Sequence, residues 1–330
     1  MIPFDYAPAS DTDSAVATVM ARPGAVFLAG GTNLVDHMKL GVASPDLLID
    51  VTGLPLDGIE ELPDGGVRIG ATVRNSDLAA HPLVRGRYPV LSQALLAGAS
   101  GQLRNAATTA GNLLQRTRCG YFQDVTTPCN KREPGTGCAA VGGWNRHHAV
   151  LGASEHCLAV HPSDMAVAMS ALDAVVCVLG EEGERRIPLR EFHRLPGDSP
   201  EHDTVLAHGE LITSVEIPPL PAQARSGYRK VRERASFAFA LVSVGAVLVT
   251  DKERVREARI AFGGLAHKPW RAVHAEEALR GAAPTEEAFR QAADAELRYA
   301  QPLSGNAYKI PMTRNTLAAL LRELATEERR

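Results

Sequence analysis

Apolar and polar positions change their period several times along this chain, and each change marks an element. Residues 12–51 alternate helical and strand patterns: a helical run at 15–20, the apolar Ala25-Val26-Phe27-Leu28, the paired Gly30-Gly31, a second helical run at 34–40, and Leu47-Leu48-Ile49-Asp50-Val51. This predicts a small α/β unit. Between 59 and 69 two short alternating runs flank Asp64-Gly65-Gly66, a hairpin turn, and Gly70-Ala71-Thr72-Val73 follows. Helices are predicted at 76–80 and 89–96. From 115 to 156 the periodicity disappears, and Gly, Pro, Arg, Asn and Cys dominate. An irregular stretch of that length within a compact domain is usually functional or disordered. A helix at 163–172 follows, with Ser163 or Asp164 as its cap, then a strand at 174–179, a hairpin through Glu181-Glu182-Gly183 and a strand at 211–217.

Pro218, Pro219 and Pro221 end that strand and mark a boundary between domains. Beyond it come strand patterns at 227–231, 239–249 and 255–262, then helices near 271–279, 285–299 and 313–325. No internal repeat or low-complexity tract is present. The 330 residues, 45% hydrophobic and 22% charged, describe a globular chain of two or three domains. With 35 basic and 38 acidic side chains the formal charge is -3, so no global field draws nucleic acid or anionic lipid. The most apolar stretch, 235–250, is shorter than the roughly 18 to 20 residues a membrane helix requires. The N-terminus shows no basic region followed by an apolar one, so the expectation is a cytoplasmic chain, or a periplasmic one co-exported with a signal-bearing partner.

Two turns carry candidate chemistry. In Phe27-Leu28-Ala29-Gly30-Gly31-Thr32-Asn33-Leu34 a strand passes through glycines straight into a helix, which exposes backbone N–H groups to an anion such as a pyrophosphate. It lacks the G-x-G-x-x-G spacing of a nicotinamide site, and a plain tight turn would look the same. In Ala107-Thr108-Thr109-Ala110-Gly111-Asn112, followed by Leu113 and Leu114, the hydroxyls, the glycine backbone and the amide suit phosphate or ribityl oxygens, although an ordinary loop has the same composition. Two such turns in one α/β domain favour a single long dinucleotide touching both. Asp164 is a candidate acceptor for a ring N–H or ribityl hydroxyl, or else a helix cap. Lys230 and Arg232 share one face of a strand, where they would neutralise a ring or an adjoining subunit, or simply be solvated. No hydrolase triad, H-E-x-x-H or Walker motif appears.

Cys119, Cys129, Cys138 and Cys157 are spaced C-x9-C-x8-C-x18-C, without the close pairs of a zinc knuckle. Four dispersed thiolates on a long loop match the demand of a [4Fe-4S] cluster. Around them five basic residues (Arg116, Arg118, Lys131, Arg132, Arg146) face two acidic ones (Asp124, Glu133), a surplus that would offset thiolate charge. Gly120, Gly135, Gly137, Gly142 and Gly143 would bring N–H groups to sulfur. The alternatives are zinc bound with help from His147, His148 or His156, and unligated buried thiols. Cys177, alone in an apolar run, reads as a small core residue.

Together, Ala29–Leu34, Thr108-Thr109-Ala110-Gly111-Asn112-Leu113, His161-Pro162-Ser163-Asp164-Met165-Ala166, and Tyr228-Arg229-Lys230-Val231-Arg232 through Val244 closely resemble the FAD-binding medium subunit of the xanthine dehydrogenase family of molybdenum hydroxylases. The likeness runs almost end to end. The stretches around the four cysteines resemble an insertion found in flavin subunits of bacterial, periplasmic-type aldehyde oxidoreductases, which add a [4Fe-4S] cluster.

The resemblance implies an α+β chain: a two-lobed PCMH-type, vanillyl-alcohol oxidase-like FAD-binding domain at 1–222 (lobes about 1–54 and 55–222, cluster loop 115–158), then a CO dehydrogenase flavoprotein-type α+β domain at 223–330. It implies that residues 27–34 together with Ala107, Thr108, Gly111, Asn112 and Leu114 bind the FAD pyrophosphate and ribityl portion. Ser163 and Asp164 would lie at the flavin, Leu211 or Ile212 would pack near the ring, and Lys230 would lie at its edge. The four cysteines would hold the cluster. A large molybdenum-cofactor subunit and a small [2Fe-2S] subunit would complete a heterotrimer that passes electrons from aldehyde through the FAD to an external acceptor. The rival class is a non-catalytic, zinc-braced assembly module; a self-contained flavin oxidase is the third reading.

Overall fold

The computed structural model describes residues 1–251 and 253–326. Three sheets, each drawn from a separate stretch of the chain, organise it. The first is parallel, in the order β1 (Asp5–Pro8), β3 (Leu47–Asp50), β2 (Ala25–Leu28). Its central strand is buried through Leu47, Leu48 and Ile49, as a parallel strand covered on both faces must be. The helix Thr12–Ala21, capped by the Asp11 side chain, packs Ala15 and Val19 on this sheet.

The second sheet is antiparallel, in the order β4 (Ile59–Glu61), β5 (Val67–Gly70), β8 (Leu211–Ile217), β6 (Val175–Gly180), β7 (Gly183–Pro188). Gly65 takes a φ of 86° in the turn predicted for the first hairpin, and Gly183 a φ of 97° in the second. The third, also antiparallel, runs β12 (Trp270–Arg271), β11 (Val255–Gly263), β10 (Val242–Thr250), β9 (Arg225–Val231). Helices Val273–Leu279, Glu286–Leu297 and Lys309–Thr326 cover it.

One helix, Asp164–Ala171, is buried along all eight residues. Small residues make that burial possible: a Cβ on Gly245 of β10 would lie 3.5 Å from the Ala168 Cα, and one on Gly263 of β11 would meet Val167 at 2.7 Å. The helix also packs into the core of the second sheet through Met165, Ala166, Ala168 and Met169. Its N-terminus is thereby aimed at the cleft between the sheets.

Some sequence expectations shift. Helices Pro82–Arg87 and Gly101–Arg104 are additional. The apolar run from 239 is not strand until Val242, because Phe237 adopts a φ of 48° and turns residues 237–241 along the cleft instead of into the sheet. Cys177 on β6 is half-exposed beside the Arg186 guanidinium, 4.0 Å away, in a polar groove with Arg68 and Glu216, and so is not a core residue. Among the described residues no helix is long and apolar enough to cross a membrane.

Candidate flavin cleft and cysteine pocket

The two glycine turns meet. The Gly30 backbone presses against the second turn so closely that a Cβ there would sit 1.9 Å from the Ala106 carbonyl oxygen. Gly31 takes a φ of 68°, which carries the chain from β2 into the helix Leu34–Leu40. In the second turn Thr108 caps the helical turn Thr109–Leu113 by accepting from the Gly111 N–H at 3.3 Å. Thr109 is wholly buried, and its hydroxyl donates to the Val73 carbonyl at 3.1 Å. The Thr109 proton is therefore committed to backbone, whereas Thr108 only accepts, so its O–H is left to donate toward the cavity it borders. Asn112 Oδ1 accepts from Ser163 Oγ and from Gln115 Nε2, both at 2.6 Å, which leaves its amide NH2 as the group a ligand would meet. Asn33 Oδ1 is engaged as well, by the Arg116 N–H at 2.9 Å.

Two cavities open from this junction, and both are bordered by Thr32, Asn33 and Gly111. One, about 380 Å³, is walled by Phe27, Leu28, Ala29, Gly30, Leu34, Leu114, Leu211 and Ile212 and is mostly apolar. The other, about 470 Å³, reaches Ala107, Arg118, Asp164, Lys230, Arg234 and Phe237. Leu211 and Ile212 are thus in a different chamber from Asp164 and Lys230, and the structure does not bring these two predicted pairs together. The backbone carries the junction and side chains line the ends, an arrangement suited to a diphosphate with a ring system on either side.

At the second chamber Ser163, not Asp164, caps the buried helix, accepting from the Ala166 N–H at 2.9 Å. Asp164 is instead an ion-pair partner: Lys230 Nζ lies 2.7 Å from its Oδ2, with both side chains almost fully buried, and the Tyr228 hydroxyl donates to its Oδ1. Burial, and then the charge of Asp164, push the Tyr228 hydroxyl well above its ordinary value, so the phenol keeps its proton. Lys230 and Arg232 both donate to the Ala97 carbonyl, at 3.1 and 2.8 Å, which anchors the chamber's rim to the shared face of β9.

The four cysteines converge on one small pocket, about 10 Å³ on the same scale as the two cavities, lined also by Phe122, Asn130, Lys131, His148 and His156. Cys129 and Cys138 are bridge partners on neighbouring backbone segments. Burial pushes the Cys157 thiol up to about 12, opposed by Lys131 and the Ala159 N–H. Burial also raises Cys119, against the N–H groups of Phe122 and Tyr121. Thiols so placed ionise only if a cationic group enters among them, as metal ligation would require. Among the described residues, no three His, Cys, Asp or Glu side chains are arranged around a point that would hold a single ion.

The predicted charge surplus and glycines serve other ends. Lys131, 1% exposed, pairs with Asp203 Oδ1 at 2.5 Å, and Arg116 pairs with Asp203 Oδ2 at 2.7 Å. Burial alone would raise the Asp203 carboxyl; Lys131 and Arg116 outweigh it and hold the group well below the usual carboxylate range. Arg132 donates to the carbonyls of Tyr121 and Phe122 at 2.8 Å each and also to that of Thr127. Gly135 and Gly137 direct their N–H groups to Asn130 Oδ1, at 3.1 and 2.7 Å, and not to sulfur. N–H groups of Tyr121 and Phe122 face the Cys119 sulfur, and that of Ala159 faces the Cys157 sulfur.

The sequence pattern did not single out Asp203, Lys309 or the histidines between the two sites. His161 and His193 stack with ring centroids 4.4 Å apart, and His193 Nε2 meets the Leu113 carbonyl at 2.9 Å. His267 lies 3.8 Å from Asp203. Only the motif containing His161 carried any signal for them.

Comparison with known proteins agrees with this geometry. The family described as the FAD binding domain in molybdopterin dehydrogenase matches residues 2–220, and the CO dehydrogenase flavoprotein C-terminal domain matches residues 226–325. The chain belongs to the FAD-binding medium subunits of the molybdenum hydroxylase family and is an oxidoreductase subunit. It is 53% identical over 321 residues to the aldehyde oxidoreductase FAD-binding subunit PaoB of Escherichia coli (strain K12), covering 97% of this chain and 98% of that one. It is 25% identical to the glyceraldehyde dehydrogenase medium chain of Sulfolobus acidocaldarius, covering 84% of this chain and 81% of that one. Among solved structures, carbon monoxide dehydrogenase from Hydrogenophaga pseudoflava superposes with a TM-score of 0.77 at 28% identity, over 98% of both chains.

Proposed function

We propose that this chain is the flavin and [4Fe-4S] subunit of a molybdenum-dependent aldehyde oxidoreductase. In this reading it receives electrons from the [2Fe-2S] clusters of a small subunit, while a large subunit bearing the molybdenum cofactor oxidises the aldehyde, and it passes them to an external acceptor. The observation that carries the reading is the junction of the two glycine turns, with a chamber on each side. The likeness to an aldehyde oxidoreductase subunit supports the substrate class.

The backbone at Gly30–Asn33 and at Gly111–Asn112 would hold the diphosphate. The apolar chamber of Phe27, Leu28, Leu114, Leu211 and Ile212 would take the adenine end, and the chamber at Asp164 and Lys230 the isoalloxazine. Ala107, Thr108 and Ser163 would shape the passage between them. Bound there, FAD supplies interconversion of one- and two-electron transfers. The chain's own groups position it: the buried Lys230–Asp164 pair fixes the wall, and Tyr228, keeping its proton, donates to Asp164 from behind that wall. Cys119, Cys129, Cys138 and Cys157 would ligate the [4Fe-4S] cluster, an all-sulfur set suited to iron–sulfur chemistry. Arg118, next in sequence to Cys119, lines the chamber assigned to the isoalloxazine, and in this reading the two centres would be neighbours. Residues 1–222 and 223–330 form the two domains of this reading.

Purified with its partners, the assembly should contain molybdenum, FAD, iron and acid-labile sulfide and oxidise aldehydes. The chain alone should show flavin absorption over a broad iron–sulfur background and no aldehyde turnover. A colourless chain with stoichiometric zinc would overturn the reading in favour of an assembly module.

A further inference from the structure

His148 is 4% exposed, and its Nε2 lies 3.2 Å from Cys119 Sγ. Its other ring nitrogen, Nδ1, is buried with no hydrogen-bond partner. On a metal-bound Cys119 sulfur, which carries no proton, these two facts determine the tautomer. A proton on Nδ1 would leave a buried donor unpaired and turn the Nε2 lone pair against sulfur, two unfavourable contacts at once. A proton on Nε2 makes an N–H···S hydrogen bond and leaves only a bare acceptor.

The position of the ring is fixed from a distance. Lys309, completely buried in the helix Lys309–Thr326, donates to the carbonyls of His147 at 3.0 Å, His148 at 2.9 Å and Gly264 at 2.6 Å. Asn306 donates to the carbonyls of His148 and Ala149 at 3.3 and 3.1 Å. The ring also packs on Tyr121, with centroids 6.2 Å apart. Three groups distant in sequence thus hold one imidazole edge against one of the four sulfurs.

We infer that His148 is a redox-tuning residue: its Nε2–H donates to the Cys119 sulfur and raises the reduction potential of the iron–sulfur centre on the quartet. The inference rests on the proposed cluster. Reduction adds negative charge that spreads onto the ligand sulfurs, so a donor to one of them stabilises the reduced state more than the oxidised state. Iron and labile sulfide are determined first on the full chain purified with its chromophores. Their absence from the wild type overturns the cluster assignment and the tuning role with it.

With iron present, potentiometric titration followed by electron paramagnetic resonance isolates the tuning role. In His148→Leu the centre shifts to lower potential, and the ratio of reduced to oxidised centre at a fixed applied potential drops by about tenfold, the scale of one charge-assisted hydrogen bond felt partly in both states. His148→Gln, whose amide nitrogen reaches about as far as Nε2, restores the value. Iron content equal to wild type with an unmoved potential in the Leu variant overturns the inference. A second measurement is independent of folding: with ¹⁵N-labelled histidine, pulsed resonance of the reduced centre detects one weakly coupled nitrogen that disappears in His148→Gln. A strong coupling, or a four-iron centre that survives Cys119→Ala through histidine ligation, makes His148 a ligand instead of a donor and also overturns it.

Discussion

The flavin cleft and the cysteine pocket are both built from irregular backbone, yet they are held in opposite ways. At the cleft, regular elements do the positioning: β2 delivers Gly30 and Gly31, a capped helical turn delivers Gly111, and a helix buried on all sides delivers Asp164. Few side chains are needed because the neighbouring elements already pair the backbone groups. The cysteine excursion has only one short helix, Gly120–Gln123, so its carbonyls lack ladder partners. Cations and amides supply them: Arg132 donates to three carbonyls, and Lys309 and Asn306 to the segment 147–149, while Lys131 ties the excursion to the neighbouring loop through the Pro200 carbonyl at 2.6 Å. An unpaired carbonyl in a dry interior is costly, so a loop taken inside a protein must bring polar side chains with it. The basic surplus in this loop is thus chiefly scaffolding, and Lys131 also acts on a thiol, that of Cys157.

The severest test of this contrast is Lys131→Met. It leaves Asp203 partly unpaired and the Pro200 carbonyl without its donor, for an expected loss of about 3–5 kcal/mol in denaturant unfolding. Iron content should fall while flavin is retained; equal loss of both chromophores would erase the distinction between the regions.

A second test addresses the histidine seam that joins them. Burial pushes His193 and His267 down to about 4, whereas an unfolded histidine titrates near 6.5. Below pH 6.5 the unfolded chain takes up protons that the folded histidines refuse until about pH 4. Their contribution to stability is therefore complete above 6.5 and is lost progressively as the pH falls toward 4. At pH 5 the pair should cost about 4 kcal/mol. Melting temperatures across this range should fall steeply in the wild type and less so in the His193→Gln, His267→Gln double variant. Parallel profiles would show that the seam does not titrate in this way.

Gly30→Ala sharpens the other side. Its Cβ would collide with the Ala106 carbonyl, and separating the turns should weaken FAD binding by about 10- to 100-fold, read by flavin fluorescence on dilution, with iron unaffected. The smallest effect belongs to Cys177→Ser, which removes a half-exposed thiol outside both sites. Stability should change by less than about 0.5 kcal/mol and iron content should stay constant. Loss of iron there would mean that the quartet is not the sulfur set.

Much of the architecture was readable from local pattern. The helix Leu34–Leu40 falls where the periodicity puts it, and Asp64-Gly65-Gly66 closes its hairpin. The two glycine turns and the four cysteines were visible as candidates, because unusual backbone demand and unusual ligand chemistry both leave a mark on composition. The misassignments share a cause. Phe239 and its neighbours were read as strand from apolarity, but that apolarity lines a cleft. Thr109 reads as a phosphate ligand from composition, but its hydroxyl proton goes to the Val73 carbonyl.

Local pattern marked most of the elements and which residue types gather on each turn, since period, caps and glycines act within a few residues. Tertiary structure alone decided which distant groups meet: Gly30 with Ala106, Asp164 with Lys230 and Tyr228, Lys131 with Asp203, Cys119 with His148. These contacts depend on how the three sheets pack, two of them around one buried helix, and packing is a property of the whole chain that no local window contains.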